Sequence, residues 1–314
     1  MAPTFLIVGA TGNTGRNVVQ TLSDSLQSSD GFSEYRILAL TRSTSSSAAQ
    51  ELAKLPHVQV LEQTWTEITA DWLRSQNVER AFIASHNEPT QFADESTFHL
   101  NALHAGVKYV VRISTTAANV TPDCAAYYPR QHWAIEQMLS APEFKNLHWS
   151  SLQPNVFTTF WLGPAVEFVK EFRKTGKQGT LDLMASSDAQ IGIIHPDDVG
   201  TFAAKLLLDR DTPKHNKAKY VLNGPEDITG AQIVEMVEKH IGTKVEQVNY
   251  KQVSFVEQMA EGGKYSKNVI LSIKHAPETS WDGKATASTT SPEVLQIAAP
   301  KITPAEVFET LLQG

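Results

Sequence analysis

Short apolar runs alternate with amphipathic stretches through the first half of this chain. Phe5–Val8 is an unbroken apolar run of the kind carried by a strand buried on both faces of a parallel sheet. Arg36–Leu40, Val58–Leu61, Ala81–Ile83, Tyr109–Ile113 and Trp149–Leu152 read as five more strands. Val18, Val19, Leu22 and Leu26 place an apolar stripe on a helix after the first strand. Further helices are predicted over Ser46–Lys54, Ala70–Ser75, Ser96–Ala105 and Arg130–Ser140. Strands joined by helical crossovers predict an α/β fold with a Rossmann-type, doubly wound parallel sheet. Ligands on such sheets sit beyond the carboxyl ends of the strands, so chemistry is expected just after each apolar run.

The pattern changes near Pro154. Pro164–Lys174 and Pro196–Leu208 read as helices, with Ile191–Ile194 as a short strand between them. Tyr220–Leu222, Ala231–Ile241 and Val245–Asn249 form another strand–helix–strand unit, with Thr229 as N-cap. Residues 276–291, rich in Ser, Thr and Gly, are expected to be a loop. Thr303–Leu312 reads as a closing helix with Thr303 as cap and Pro304 as its first residue. These shifts predict a cofactor-binding domain over 1–153 and a smaller α/β substrate-binding region over 154–314. Parts of the second region are expected to return to the first sheet.

Composition narrows the classes. The 314 residues are 41% hydrophobic and 19% charged, enough to bury a sizeable core. A net charge of −7 and no basic stripe argue against a nucleic-acid binder. The single cysteine, Cys124, excludes an intramolecular disulfide and fits a reducing compartment. No apolar run approaches membrane-spanning length, and a first strand starting at Thr4 leaves no room for a signal peptide, so a cytoplasmic protein is expected. No histidine has convincing metal-ligand spacing.

The first strand runs straight into Gly9-Ala10-Thr11-Gly12-Asn13-Thr14-Gly15 and then into the first helix. Strand, glycine turn and helix together make a dinucleotide site. Gly9 permits the tight turn, Gly12 lets backbone approach a pyrophosphate, and Gly15 lets helix pack on strand. The helix N-terminus offers free N–H groups to phosphates. In NAD-type sites an acid near the end of the second strand holds the ribose 2′-hydroxyl. Here Thr41-Arg42-Ser43 stands there, with no acid before Glu51. Arg42, helped by Ser43, suits a 2′-phosphate, and NADP(H) is the expected cofactor.

The spacing of Gly9, Gly12 and Gly15 resembles that of the atypical short-chain dehydrogenase/reductases, and the turn is particularly similar to the NmrA-like branch. Leu152-Gln153-Pro154-Asn155-Val156-Phe157, Gly192 to Gly200, and Tyr220 to Gly224 resemble later segments of that family, in the same order. The resemblance covers roughly residues 4–250. It implies a strand-end Ser or Thr that orients a carbonyl, here Ser114, and a Tyr-x-x-x-Lys pair that supplies a proton. This chain keeps the spacing as Tyr128 and His132 but has His in place of Lys. An unperturbed His is only partly charged near neutrality, so the usual lowering of the Tyr pKa is in doubt. Tyr128 is a candidate proton donor or a wall residue; His132 is a candidate contact to cofactor or substrate.

Ser85, after the fourth strand, is expected to approach the cofactor through backbone. Pro154 and Asn155 lie at a ligand edge after the sixth strand, and Asn155 equally suits a structural turn. Phe157, Phe160 and Trp161 are expected to line an apolar substrate pocket. Three readings follow: an NADPH-dependent reductase of a small apolar carbonyl, quinone or enone; an NADP(H)-sensing regulator with a protein partner or as a homodimer; and a non-redox isomerase or cyclase.

Overall fold

The computed structural model describes residues 2–27 and 31–313. Six strands of the first half form as expected: β1 (Thr4–Val8), β2 (Arg36–Thr41), β3 (Val58–Glu62), β4 (Val78–Ile83), β5 (Tyr109–Ile113) and β6 (His148–Pro154). Between them run α1 (Asn13–Leu26), α2 (Ser47–Leu52), α3 (Ala70–Ser75), α4 (Gln91–Ala105) and α5 (Tyr127–Ser140). Then come α6 (Thr158–Thr175), β7 (Leu181–Asp182), α7 (Pro196–Leu208), β8 (Ala218–Leu222), α8 (Gly230–Ile241) and β9 (Val248–Asn249). Five helices close the chain: α9 (Phe255–Glu261), α10 (Lys267–Leu271), α11 (Glu278–Trp281), α12 (Pro292–Ala298) and α13 (Pro304–Gln313).

The main sheet has seven parallel strands in the order β3-β2-β1-β4-β5-β6-β8. Its order reverses between β1 and β4, where a doubly wound sheet opens its crevice. Alternation along each strand assigns the faces. Phe5, Ile7, Ile37 and Ala39 pack against Val18 and Leu22 of α1 and Phe202 and Leu206 of α7. Leu6, Val8, Leu38 and Leu40 belong to the opposite core, with Phe98 of α4 and Ile135 and Leu139 of α5. Residues after 154 contribute to both regions. β8 extends the main sheet beside β6, while α6, α8, α13 and the small β7–β9 sheet surround a core of their own.

Several local readings need correction. Ile191–Ile194 is no strand: its backbone N–H groups go to Ile228, Ala285 and Val156, three separate segments, so no ladder develops. Residues 276–291 contain α11 and a 3₁₀ turn at Ala287–Thr289 rather than loop alone. Helix α6 starts six residues early, capped at Phe157, with Pro164 inside it. Helix α5 starts at Tyr127, so Pro129 is its third residue, still in the first turn where no N–H is needed. Thr229 forms a full capping box with Gln232, as its position implied.

The glycine turn is built on two special positions. Gly9 has φ 82°, the left-handed region where a side chain is strained. A Cβ on Gly15 would lie 2.1 Å from the Gly9 carbonyl oxygen, so helix α1 presses directly on the turn. At Gly12 the nearest atom to such a Cβ is 3.2 Å away, and the space beyond is open. Gly15→Ala is therefore expected to cost about 2 kcal/mol or more through overpacking, whereas Gly12→Ala, which meets only the Gly9 carbonyl oxygen at 3.2 Å, costs less. Urea unfolding of both variants checks this, and equal destabilisation would contradict the packing argument.

Candidate functional site

Three cavities adjoin along the carboxyl edge of the sheet. The first, about 400 Å³, lies between the ends of β2 and β4 and is lined by Thr11, Arg42, Gln63, Trp65 and Ser85 among others. It shares Gly9, Gly12, Ala84 and Ser85 with a central cavity of about 420 Å³. Asn13, Thr14, Gly15, Ser114, His132, Pro154, Asn155 and Phe157 also line that one. Asn87, Thr116, Tyr128, Val156 and Phe160 form the seam to a third chamber of about 350 Å³. Trp161, Met184, Phe255, Met259, Ile273 and Pro277 line the rest of the third chamber together with Ala276 and the polar Asn119, Tyr127 and Ser280.

The two ends differ in chemistry. Helix α1 has no side-chain cap and no acid in its first turn. The N–H groups of Asn13, Thr14 and Gly15 have no acceptor among the described residues. That leaves a concentrated positive end facing the central cavity. Arg42 is exposed at the first cavity, with no ion-pair partner among the described residues. Among the described residues no lysine, arginine, aspartate or glutamate contributes to the wall of the third chamber.

Beneath the central cavity lies a buried polar network. Arg112, fully buried in β5, donates from Nε to Glu95 Oε1 at 2.5 Å and from Nη1 to Ser151 Oγ at 3.0 Å. Its Nη2 donates to His132 Nδ1 at 2.8 Å. Glu136 of α5 accepts from Ser151 at 2.7 Å and pairs with Lys219 of β8 at 3.0 Å. Glu95 also accepts from Ser85 Oγ at 2.6 Å. The Ser85 hydroxyl thus points inward, leaving mainly backbone toward the cavities.

These surroundings decide protonation. Burial pushes the Glu95 carboxyl up, but the charge of Arg112 and hydrogen bonds from His99 and Arg112 outweigh it and hold it well below the usual range. Burial, then the neighbouring Arg112, drive His132 down to about 3, against a smaller pull from Glu95. His132 is a neutral ring, not a substitute for a lysine ammonium. Burial lifts Tyr128 to about 12, with the Thr115 hydroxyl offsetting part of it. Among the described residues no cation stands beside its phenol to activate it.

The sequence profile of the NmrA-like family matches residues 1–299. The chain belongs to the NmrA-like family. Among curated relatives, the uncharacterized oxidoreductase YesF of Bacillus subtilis is 26% identical over 166 residues, 53% of this chain. That match spans about half, 51%, of the relative's length. A (4-alkanoyl-5-oxo-2,5-dihydrofuran-3-yl)methyl phosphate reductase of Streptomyces griseus is 24% identical over 76% of this chain and 74% of its own. An NADPH-dependent quinone oxidoreductase of Escherichia coli, solved with NADPH, superposes with TM-score 0.72 at 21% identity, covering 98% of this chain and 99% of that one. A Citrobacter triphenylmethane reductase, solved with NADP(H), gives 0.69 at 20%, covering 98% and 100%. At these identities the two structures establish the shared Rossmann-type fold.

Within this NmrA-like chain, most residues singled out from sequence do meet at the cavities. Ser43 does not: its hydroxyl turns to Ser45 at 2.8 Å, and it lines none of the three. Asn155 borders the central cavity, but its amide donates to Gly192 O, Asn223 Oδ1 and Ala285 O, tying three segments together. Ser114 Oγ is buried with no partner among the described residues, and so is the Trp161 indole nitrogen. His195 caps α7 through its Nδ1. Sequence reasoning missed Asn87, Arg112, Glu95 and the whole α9–α11 wall. A signal for the network existed: Arg112 interrupts an apolar strand, and Gln91, Glu95 and His99 recur every four residues on the buried face of α4.

The depressed histidine has a consequence for stability. The unfolded chain takes up a proton at His132 near pH 6.5, while the folded chain resists until about 3. Stability is therefore unaffected above about pH 7 and falls as pH drops through 6.5. His99, also lowered by burial, adds to the same slope. His132→Gln should shrink the stability loss between pH 6.5 and 5 by about one proton's share, read from urea unfolding at several pH values. An unchanged slope would show that His132 protonates freely in the fold.

Proposed function

We propose that this chain is an NADPH-dependent reductase acting on a small, neutral, apolar carbonyl, quinone or enone. One observation carries the reading: a cleft with two anion-receptive features, Arg42 and the α1 N-terminus, opens directly into a chamber whose wall carries no charged side chain. The residues fit the cofactor. The unpaired N–H groups of Asn13, Thr14 and Gly15 would hold the pyrophosphate, and Arg42 the 2′-phosphate. Ser114 and Pro154–Phe157 would flank the nicotinamide. When bound, NADPH supplies a hydride.

The chain's own contribution is orientation and exclusion of water. Phe160, Trp161 and the residues of α9–α11 enclose the chamber. Tyr128, whose phenol burial makes a weaker acid, acts as a hydrogen-bonding wall residue, and solvent supplies the proton. The NADPH-complexed quinone and triphenylmethane reductases with the same fold favour this reading. The Streptomyces relative acts on a phosphate ester; here no lysine or arginine lines the chamber to hold one.

Arg42→Ala is expected to weaken NADPH binding about tenfold or more, since a charge-assisted phosphate contact contributes about 1.5–3 kcal/mol. NADH binding should hardly change. Calorimetric titration with both cofactors checks this, and equal weakening would defeat the assignment of the 2′-phosphate. Turnover is tested by following the reduced nicotinamide's absorbance with a panel of quinones and enones. In that assay Tyr128→Phe should stay within about fivefold of wild type. A loss of about 100-fold, the usual general-acid contribution, would return the proton to Tyr128.

A further inference from the structure

We propose that Asn87 holds the substrate's acceptor oxygen through its Nδ2 amide, aimed at the seam of the two inner cavities by a hydrogen-bond chain that starts at Arg112. This inference rests on the reductase reading and names the class of substrate it takes. A guanidinium can only donate. Arg112 Nη2 faces His132 Nδ1 at 2.8 Å, so Nδ1 must accept. A neutral imidazole that accepts at one nitrogen carries its hydrogen on the other. His132 Nε2 therefore donates, and Asn87 Oδ1 lies 3.2 Å from it. With its oxygen committed, the Asn87 amide has only donors left. Its Nδ2 has no acceptor among the described residues.

The competing contacts do not change the direction. Gln91 Nε2 lies 3.3 and 3.4 Å from the two ring nitrogens. It lies closer to Ser85 Oγ at 3.1 Å and Glu95 Oε2 at 3.2 Å, and those take its two hydrogens. Asn87 is also fixed at its backbone, where the Tyr127 hydroxyl donates to its carbonyl. The residue is exposed, and it lines both the central cavity and the apolar chamber. A donor already held in place loses little entropy on meeting a ligand.

The chemistry this serves is hydride addition to carbon conjugated with oxygen. The quinone gains the hydride and its electron pair from the reduced nicotinamide, which leaves as the oxidised cofactor. One carbonyl oxygen becomes anionic, and water protonates it. A neutral N–H donor stabilises that oxygen as charge develops. The chain also accounts for histidine at position 132. A lysine there cannot accept from Arg112, and it would place a second buried cation beside the guanidinium. The substrate class is thus an oxygen acceptor, a quinone or enone, rather than an oxygen-free cationic dye.

The experiment uses the full chain with menadione as probe, comparing wild type with Asn87→Asp, which keeps size and the acceptor but removes the donor. Circular dichroism confirms the fold of the variant. Menadione affinity in the NADP⁺ complex should fall tenfold or more, and kcat/KM about 100-fold, with NADPH affinity within threefold. ¹⁵N NMR of the wild type should show a neutral His132 ring with its hydrogen on Nε2 throughout pH 5–8. Menadione affinity and kcat/KM within threefold of wild type would overturn the proposal. So would a loss confined to NADPH affinity, or a ring hydrogen on Nδ1. Absence of turnover in the wild type with every quinone and enone would defeat the reductase reading instead, and the ring tautomer would still decide the hydrogen-bond chain.

Discussion

A guanidinium buried under a parallel sheet is the constraint on which this site rests. Arg112 stands in β5, where its neighbours Val110 and Val111 are fully buried, and it has no access to water. Burying such a charge costs several kcal/mol unless close partners and well-made hydrogen bonds offset it. Those partners come from elsewhere in the fold: Glu95 from α4, His132 from α5, Ser151 from β6, with Glu136 of α5 3.7 Å away. Removing any one carboxylate would leave charge uncompensated, so the arrangement fixes how α4 and α5 sit on the sheet. It also fixes the ring of His132 under the central cavity.

The electrostatic layout follows from that. Charge beneath the cavity is internally balanced, with Arg112 and Lys219 set against Glu95 and Glu136. At the far end of the cleft stand Arg42 and the open N-terminus of α1, with Glu88 on the same wall paired to Lys264. The inner chamber is left neutral. Anions are favoured at one end and uncharged apolar molecules at the other, which is the polarity a dinucleotide-dependent reductase needs. Burial, then the Arg112 charge, keeps His132 uncharged, so it gives the Tyr128 phenol no cation that would lower its pKa.

The far wall depends on a piece of chain with little sequence character. Tyr127 packs with Val256, Ala260 and Ile270 of α9 and α10 in a small cluster of its own. Lys264 and Tyr265 reach Glu88, next to Asn87. The roof over the chamber is thus tied to the segment after β4 that also borders the first two cavities. Its residues are individually ordinary, and no local pattern announces a wall.

The sequence by itself determined the sheet, the glycine turn and the end of β2 that carries Arg42. These are local: short unbroken apolar runs, a strand running into glycines, and an absent acid all act within a few positions. Ile191–Ile194 was misread because an apolar run carries no information on whether its backbone groups find one partner or three. Only the tertiary structure decided that Ser43 turns away, that Asn155 is consumed in holding loops, and that His132 is neutral. Ser43 turns to Ser45 only two residues on, but the other two outcomes depend on groups 20 to more than 100 residues away in the chain, such as Arg112 beside His132 and Ala285 beside Asn155. Protonation and hydrogen-bond direction are set by desolvation and by what each atom faces, and both exist only once the chain has folded.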